Sequence, residues 1–167
     1  MSILIKHQSI VPDTWQRLEA DEDPNRQPLP EADLLFPQAI WQARKNEIIS
    51  RYKRIGLWLE PDADLAPLAA DLDYFQVIAI HFPKFVDGRG YSLARLLRER
   101  YHFAGELRAV GDVLHDQLFF MRRVGFDAWA LKAGQDAERA LHAFTTFPTS
   151  YQGAVDDPTP LFRRRNP

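Results

Sequence analysis

The sequence predicts an α/β fold in which four consecutive βα units form a parallel sheet behind a small N-terminal β-hairpin. Four apolar runs typical of buried strands alternate with four runs that carry apolar residues at helical spacing. Successive strands begin 20, 31 and 20 residues apart, as short βα units do. We therefore expect half of a TIM-like (β/α)8 barrel, with an open doubly wound sheet as the alternative.

The first 30 residues are predicted to form the hairpin and an acidic loop. Ile3–Lys6 and Ser9–Val11 are β-prone runs on either side of a turn at His7-Gln8, and residues 19–30 are acidic and contain prolines. A half-barrel leaves two open sheet edges. We expect the hairpin to cover one edge and a second subunit to cover the other.

Residues 31–151 are predicted to form one α/β domain, followed by a flexible tail over residues 152–167. A helix over residues 38–53, after Pro37, precedes the four units. The expected strands are residues 55–60, 75–81, 106–111 and 126–131, and the expected helices are residues 64–72, 91–101, 112–123 and 136–144. Ser92 and Asp112 are the expected N-caps of the second and third of these helices.

Composition narrows the function classes. The 167 residues carry a net charge of -2 and include no cysteine, which excludes disulfides, a thiol nucleophile and thiolate metal sites. The slightly acidic chain has no aromatic-interleaved basic stripe, so we expect no nucleic-acid partner. With no signal peptide and no long apolar run, we expect a cytoplasmic protein without a membrane partner.

Polar residues follow three of the predicted strands, where parallel α/β folds bind their ligands. Glu60, His81 and Asp112 are therefore the candidate catalytic residues, with His81 as a general base. The alternatives are a core histidine at position 81 and a helix cap at position 112. No spacing motif predicts a metal site, and no flavin, nicotinamide or haem motif predicts a cofactor.

The loop after the second strand is the candidate anion site. It places two glycines around an arginine just before a predicted helix N-terminus, where free N–H groups attract anions. Arginine outnumbers lysine 16 to 5, and residues 84–132 carry a local charge of +3. The alternative is a tight β–α connection that needs glycine. The candidate anion-binding residues are Lys84, Asp87, Gly88, Arg89, Gly90, Ser92 and Arg95.

Two long motifs carry a family resemblance. They are FPKFVDGRGYSLARLLRER over residues 82–100 and GELRAVGDVLHDQL over residues 105–118, followed by Gly125-Phe126-Asp127-Ala128. They resemble a bacterial family catalogued as domain of unknown function nine-three-four. The chain departs from it at His7-Gln8, where the family more often has Asp-Gly.

Members of that family are often labelled as oxidoreductases involved in sulfite reduction, because their genes lie beside assimilatory sulfite reductase. The resemblance supplies no catalytic residues. It implies an accessory factor or oxidoreductase of sulfite or sulfate assimilation, with sulfite reductase and a small oxyanion as partners. The alternative is a non-catalytic structural or protein-interaction module that forms a homodimer. Whether the protein is an enzyme stays open.

Overall fold

The fold is a mixed α/β structure built on one eight-stranded sheet. The computed structural model describes residues 3–145 and 153–159, so most of the predicted tail lies outside the described residues. The strands are β1 (Ile3–Lys6), β2 (Ser9–Pro12), β3 (Gln16–Arg17), β4 (Leu34–Pro37), β5 (Ile55–Leu59), β6 (Val77–Phe82), β7 (Glu106–Gly111) and β8 (Ala128–Ala130). The α-helices are α1 (Gln38–Arg51), α2 (Arg89–Glu99), α3 (Leu118–Arg123) and α4 (Ala137–His142).

The order of the strands is β2-β1-β8-β7-β6-β5-β4-β3. Strands β3 to β8 run parallel to one another, so the predicted sequential order of the four parallel strands is confirmed. The predicted hairpin is also present. Strand β1 pairs antiparallel with both β2 and β8, which covers the β8 edge and makes the sheet mixed.

The sheet curls into a half-barrel because only three residues join its two edge strands. In a flat sheet of eight strands, β2 and β3 would lie about 34 Å apart. The four Cα–Cα steps from Pro12 to Gln16 reach at most about 14 Å. Residues 13–15 therefore cross the concave side of the sheet, and we call them the strap.

Each face of the sheet has its own core. The helices pack on the convex face over a large apolar cluster that includes Trp41, Ile80 and Trp129. The concave face carries a smaller cluster of six residues, in which the strap contributes one tryptophan. These six residues are Trp15, Leu35, Trp58, Val77, Ala79 and Val110.

A buried ion-pair network ties the strap to the concave face. Arg108 on β7 is only 2% exposed. Its guanidinium donates to Glu106 at 2.7 Å and to Asp13 of the strap at 2.7 Å, and Lys6 lies 2.6 Å from the other Glu106 oxygen. Every charge in this network has a partner, as a buried arginine requires.

Three expectations about the elements are wrong in detail. The sequence analysis missed β4 and β3, which extend the sheet beyond β5. A 3-10 helix, Ala66–Tyr74, follows β5 in place of the expected α-helix. The expected helix over residues 112–123 is a 3-10 turn, His115–Gln117, followed by the short α3.

The two expected helix caps are wrong as well. Asp112 caps nothing, since Gly111 turns the chain with a φ of +97° and the Asp112 carboxylate accepts the Phe85 N–H instead. Ser92 lies inside α2, which begins at Arg89 with Gly88 at the N-cap position.

Candidate functional site

Glu60 and His81 come together at the C-terminal ends of β5 and β6. The register pairs Leu59 with Ile80, so the next residue of each strand lies side by side. His81 Nδ1 lies 2.7 Å from Glu60 Oε2. Two of the three candidate catalytic residues are therefore in direct contact.

Trp58 and Arg17 complete the group on the concave face. The Trp58 indole Nε1 donates to Glu60 Oε1 at 2.8 Å, and its ring lies 5.2 Å from the imidazole of His81. The guanidinium carbon of Arg17 lies 4.2 Å above the Trp58 ring, and Arg17 Nη2 is 3.7 Å from Glu60 Oε1. We call these four residues the His81 cluster.

The sequence analysis singled out neither Trp58 nor Arg17. Arg17 lies in a two-residue strand at the far edge of the sheet, 41 positions before Trp58. Pairing of β3 with β4 and of β4 with β5 brings it near β5, and no local sequence signal reports this pairing. Side chains alternate between the two faces of a strand, so Trp58 and Glu60 are expected on the same face. This alternation is the sequence signal that could have added Trp58 to the candidate site.

Electrostatics in the cluster define the tautomer of His81. Partial burial acts to raise the pKa of Glu60, but the hydrogen bonds from His81 and Trp58 outweigh it, and the pKa lies below its ordinary value. Glu60 is thus a carboxylate at neutral pH and accepts both hydrogen bonds. In the neutral ring the proton therefore lies on Nδ1, and Nε2 is the acceptor nitrogen.

Gly111 makes room for the imidazole. A Cβ atom at this position would lie 2.7 Å from His81 Cδ2 and 2.5 Å from the Phe82 carbonyl oxygen. The φ of +97° is also one that only glycine adopts at low cost. Both the conformation and the close approach therefore require glycine next to His81.

Asp112, the third candidate, belongs to a different set of contacts. Its carboxylate accepts the Phe85 N–H at 3.0 Å and lies 2.7 Å from Lys132 Nζ. The contact with Lys132 and then the Phe85 hydrogen bond lower the pKa of Asp112. In the described part of the chain, no hydrogen bond or ion pair joins Asp112 to Glu60 or His81. Asp112 instead anchors the loop that follows β6.

The Asp87–Ser92 segment already contains an anion of its own at the start of α2. The Asp87 carboxylate accepts from Arg89 Nε at 3.0 Å, from Arg89 Nη2 at 2.7 Å and from the Arg89 backbone N–H at 3.1 Å. These hydrogen bonds lower the pKa of Asp87 to about 2. An external oxyanion would have to displace this carboxylate, so the anion site in this loop stays a prediction.

The other predicted anion ligands have separate surroundings. A Cβ at Gly90 would lie 2.6 Å from the Phe82 ring, so this glycine lets α2 pack closely on β6. Arg95 points along α2 to Glu99 at 2.9 Å. Lys84 is exposed, and Ser92 is exposed on the surface of the helix.

A cavity of about 630 Å³ lies at the opposite end of the half-barrel, where the parallel strands begin. Its charged lining includes Lys6, Glu106 and Arg108, which pair with one another and with Asp13. These cations already contact carboxylates at 2.6–2.7 Å, whereas the nearest carboxylate oxygens of Arg17 lie at 3.7 and 3.8 Å, so the His81 cluster is the better candidate site. Among residues 3–145 and 153–159, no three His, Asp or Glu side chains gather as a metal site. No helix within these residues is long and apolar enough to cross a bilayer.

Comparison with known proteins gives a family but no activity. No curated protein and no solved structure matches the chain significantly. The model of one family, described as "Bacterial protein of unknown function (DUF934)", matches residues 56–162, which include β6 to β8, all of β5 except its first residue, and both loops discussed above. The chain therefore belongs to the DUF934 family of bacterial proteins of unknown function.

Proposed function

We propose that this protein binds a small oxyanion at the His81 cluster and acts in the cytoplasm as an accessory factor of sulfite or sulfate assimilation. The observation that carries the proposal is the contact of Glu60 with His81, 2.7 Å apart, beneath a guanidinium stacked on Trp58. The sulfur chemistry comes from the labels given to members of the family. Sulfite reductase is the partner that these labels suggest.

Arg17 supplies the positive charge for such a ligand. Its nearest carboxylate oxygens, on Glu60 and Glu19, lie 3.7 and 3.8 Å away, beyond hydrogen-bond distance. Within the described residues the guanidinium makes no hydrogen bond, so its donors are available. Stacking on Trp58 fixes the plane of the group, which favours bidentate binding of an oxyanion.

His81 supplies a proton-binding atom. With Nδ1 bonded to Glu60, Nε2 can accept a proton from a protonated anion or donate one to its basic form. Sulfite exists in both forms near neutral pH, whereas sulfate is a dianion throughout this range. The protonation of sulfite itself should therefore add a pH dependence to its binding that sulfate lacks.

The expected affinity is modest. One charge-assisted hydrogen bond contributes about 1.5–3 kcal/mol, so two such contacts give roughly 3–6 kcal/mol before the entropy of binding is subtracted. Without that subtraction the sum corresponds to a dissociation constant between roughly 40 μM and 6 mM, and the entropy of binding moves it toward the weak end, in the millimolar range. A partner that closes over the concave face would strengthen binding.

Isothermal titration calorimetry with sulfite, sulfate and phosphate tests the proposal. We expect binding that is lost in Arg17→Met and weakened in His81→Gln. Arg95→Met is the matched control, since Arg95 pairs with Glu99 on the exposed side of α2. The proposal would be refuted if Arg17→Met and His81→Gln bound sulfite as tightly as the Arg95→Met control. It would also be refuted if the wild-type protein gave no heat of binding at millimolar sulfite. Turnover of sulfite by the isolated protein would show an enzyme, not an accessory factor.

The second candidate is a non-catalytic interaction module that forms a homodimer. Three exposed apolar side chains favour it, Phe85 at 50%, Val86 at 71% and Phe120 at 58% exposure. Gln117 Nε2 donates to the Phe85 carbonyl at 2.7 Å, which holds this loop beside α3. Light scattering tests this candidate, because a dimer should dissociate in Phe120→Ser, whereas a monomer of the wild-type protein would exclude it.

A further inference from the structure

The loop between β6 and α2 contains the only Asp–Gly pair of the sequence, Asp87-Gly88, and the sequence has no Asn–Gly pair. An aspartate followed by glycine rearranges to isoaspartate more readily than other aspartates do. The reason is that glycine has no side chain beside the backbone nitrogen that reacts. Asp87-Gly88 is therefore the position of this chain at which the sequence most favours a spontaneous backbone rearrangement.

The rearrangement needs no cofactor and no oxidant. The Gly88 nitrogen attacks Cγ of Asp87, and the carboxyl OH and the amide proton leave as water, which gives a five-membered succinimide ring. Water then adds to one of the two ring carbonyls. Addition at Cγ restores aspartate, whereas addition at the backbone carbonyl leaves the chain linked through Cγ, as isoaspartate. One water leaves and one enters, so the product is an isomer of the starting chain.

The attacking nitrogen is accessible in the structure. Gly88 is exposed, and a Cβ atom there would meet none of the described residues within 4 Å. The Gly88 N–H also donates to no acceptor in the described part of the chain. Neither crowding nor a hydrogen bond therefore protects this side of the reaction.

The Asp87 carboxylate, by contrast, is held by Arg89. Oδ2 accepts from Arg89 Nη2 at 2.7 Å, and Oδ1 accepts from Arg89 Nε at 3.0 Å and from the Arg89 backbone N–H at 3.1 Å. The Asp87 side chain is only 13% exposed beneath this contact. Hydrogen bonds to both oxygens stabilise the ionised carboxylate. The attack requires the protonated group, because an ionised carboxylate is a poor electrophile and has no OH to lose.

The size of this effect follows from the ionisation of Asp87. The hydrogen bonds from Arg89 lower the pKa of Asp87 from an ordinary 3.8 to about 2. At pH 7 the protonated fraction is then roughly 60-fold smaller than it would be for an unpaired aspartate. The contact therefore slows the reaction even though the attacking nitrogen is open.

We propose that Asp87-Gly88 is the position at which this protein forms isoaspartate, and that the Arg89 side chain suppresses the reaction by binding the Asp87 carboxylate. Isoaspartate adds one methylene group to the backbone just before α2 and takes the carboxylate away from Arg89. This inference is independent of the proposed oxyanion site, because neither residue belongs to the His81 cluster.

Peptide mapping by mass spectrometry after prolonged incubation at pH 7 tests the proposal. Electron-transfer fragmentation distinguishes isoaspartate from aspartate at position 87. Arg89→Met should accumulate isoaspartate about tenfold faster than the wild type or more, since the pKa of Asp87 returns toward its ordinary value while the backbone N–H of residue 89 stays in place. Asp87→Asn is the positive control for detection, because its amide does not ionise and reacts by the same route with loss of ammonia.

Two further variants separate this effect from a loosened helix. Arg95→Met removes another exposed ion pair of α2, with Glu99, and should keep the wild-type rate. Gly88→Ala added to Arg89→Met should slow the reaction again, because a methyl group crowds the attacking nitrogen. Equal rates of isoaspartate formation in the wild type and Arg89→Met would overturn the proposal. The same acceleration in Arg95→Met would also overturn it, because the helix and not the carboxylate would then control the rate.

Discussion

The structure requires glycine at position 111 for two reasons, its backbone conformation and the lack of space for a Cβ. Comparison with two other glycines separates these two effects. Gly111 combines a φ of +97° with a crowded Cβ position. Gly134 has a φ of +86° but open space around a Cβ. Gly88 has an ordinary φ of -77° and open space. Alanine at Gly88 therefore meets neither constraint. Alanine at Gly134 measures the cost of the backbone conformation alone, and alanine at Gly111 measures that cost together with the steric overlap.

The expected costs follow from these geometries. Gly88→Ala should be neutral or stabilise by about 0.4–1 kcal/mol, because alanine reduces the entropy of the unfolded chain. Gly134→Ala should cost about 1–2 kcal/mol for the left-handed conformation. Gly111→Ala should cost about 2–5 kcal/mol, since the overlap with Phe82 and His81 adds about 1–3 kcal/mol.

Urea unfolding followed by tryptophan fluorescence measures these differences as shifts of the midpoint at constant slope. Gly111→Ala should also displace the imidazole from Glu60 and weaken sulfite binding, which Gly134→Ala leaves intact. If Gly111→Ala is no more destabilising than Gly134→Ala, the close approach of His81 to residue 111 is wrong. A large cost in Gly88→Ala would refute the reasoning about all three positions.

Three further changes test the ion pairs and one helix cap. Asp13→Asn keeps an oxygen that accepts the Trp15 N–H but removes the negative charge that pairs with buried Arg108. It should lower the free energy of unfolding, measured with urea, by about 1.5–3 kcal/mol. Asp87 has a pKa of about 2 against an ordinary 3.8, so its stabilisation is present above about pH 4 and lost as pH falls through 2. Urea midpoints of Asp87→Asn should lie below the wild type at pH 7 and match it below pH 2, and equal midpoints at pH 7 would contradict this. Asp136 accepts the N–H groups of Glu138 and Arg139, so Asp136→Ala should cost about 1 kcal/mol, and an unchanged melting temperature would count against the cap.

The central sheet was predictable from the sequence because its signals are local. Apolar runs mark β5 and β6, and a β-prone run on each side of His7-Gln8 marks the hairpin. By contrast, β3 has two residues and makes its hydrogen bonds only through pairing with β4. Its presence depends on this pairing with residues 34 and 35, which no short window of sequence contains.

The candidate site was predictable in position but only partly in composition. The rule that ligands bind beyond the C-terminal ends of parallel strands places Glu60 and His81 together, and they are in contact. The same rule grouped Asp112 with them, but the positive φ of Gly111 sends its side chain toward Phe85 and Lys132. Arg89 pairs with the carboxylate of Asp87, two residues before it. The spacing of the residues alone does not distinguish this local contact from an open anion site.

The protonation of the His81 imidazole tests the account most directly. A long-range ¹H–¹⁵N spectrum distinguishes protonated from unprotonated ring nitrogens. The account predicts that neutral His81 carries its proton on Nδ1, bonded to Glu60, and that sulfite shifts the Nε2 resonance in the wild type but not in Arg17→Met. A proton on Nε2 of the neutral ring, or a His81 signal unmoved by millimolar sulfite, would contradict it.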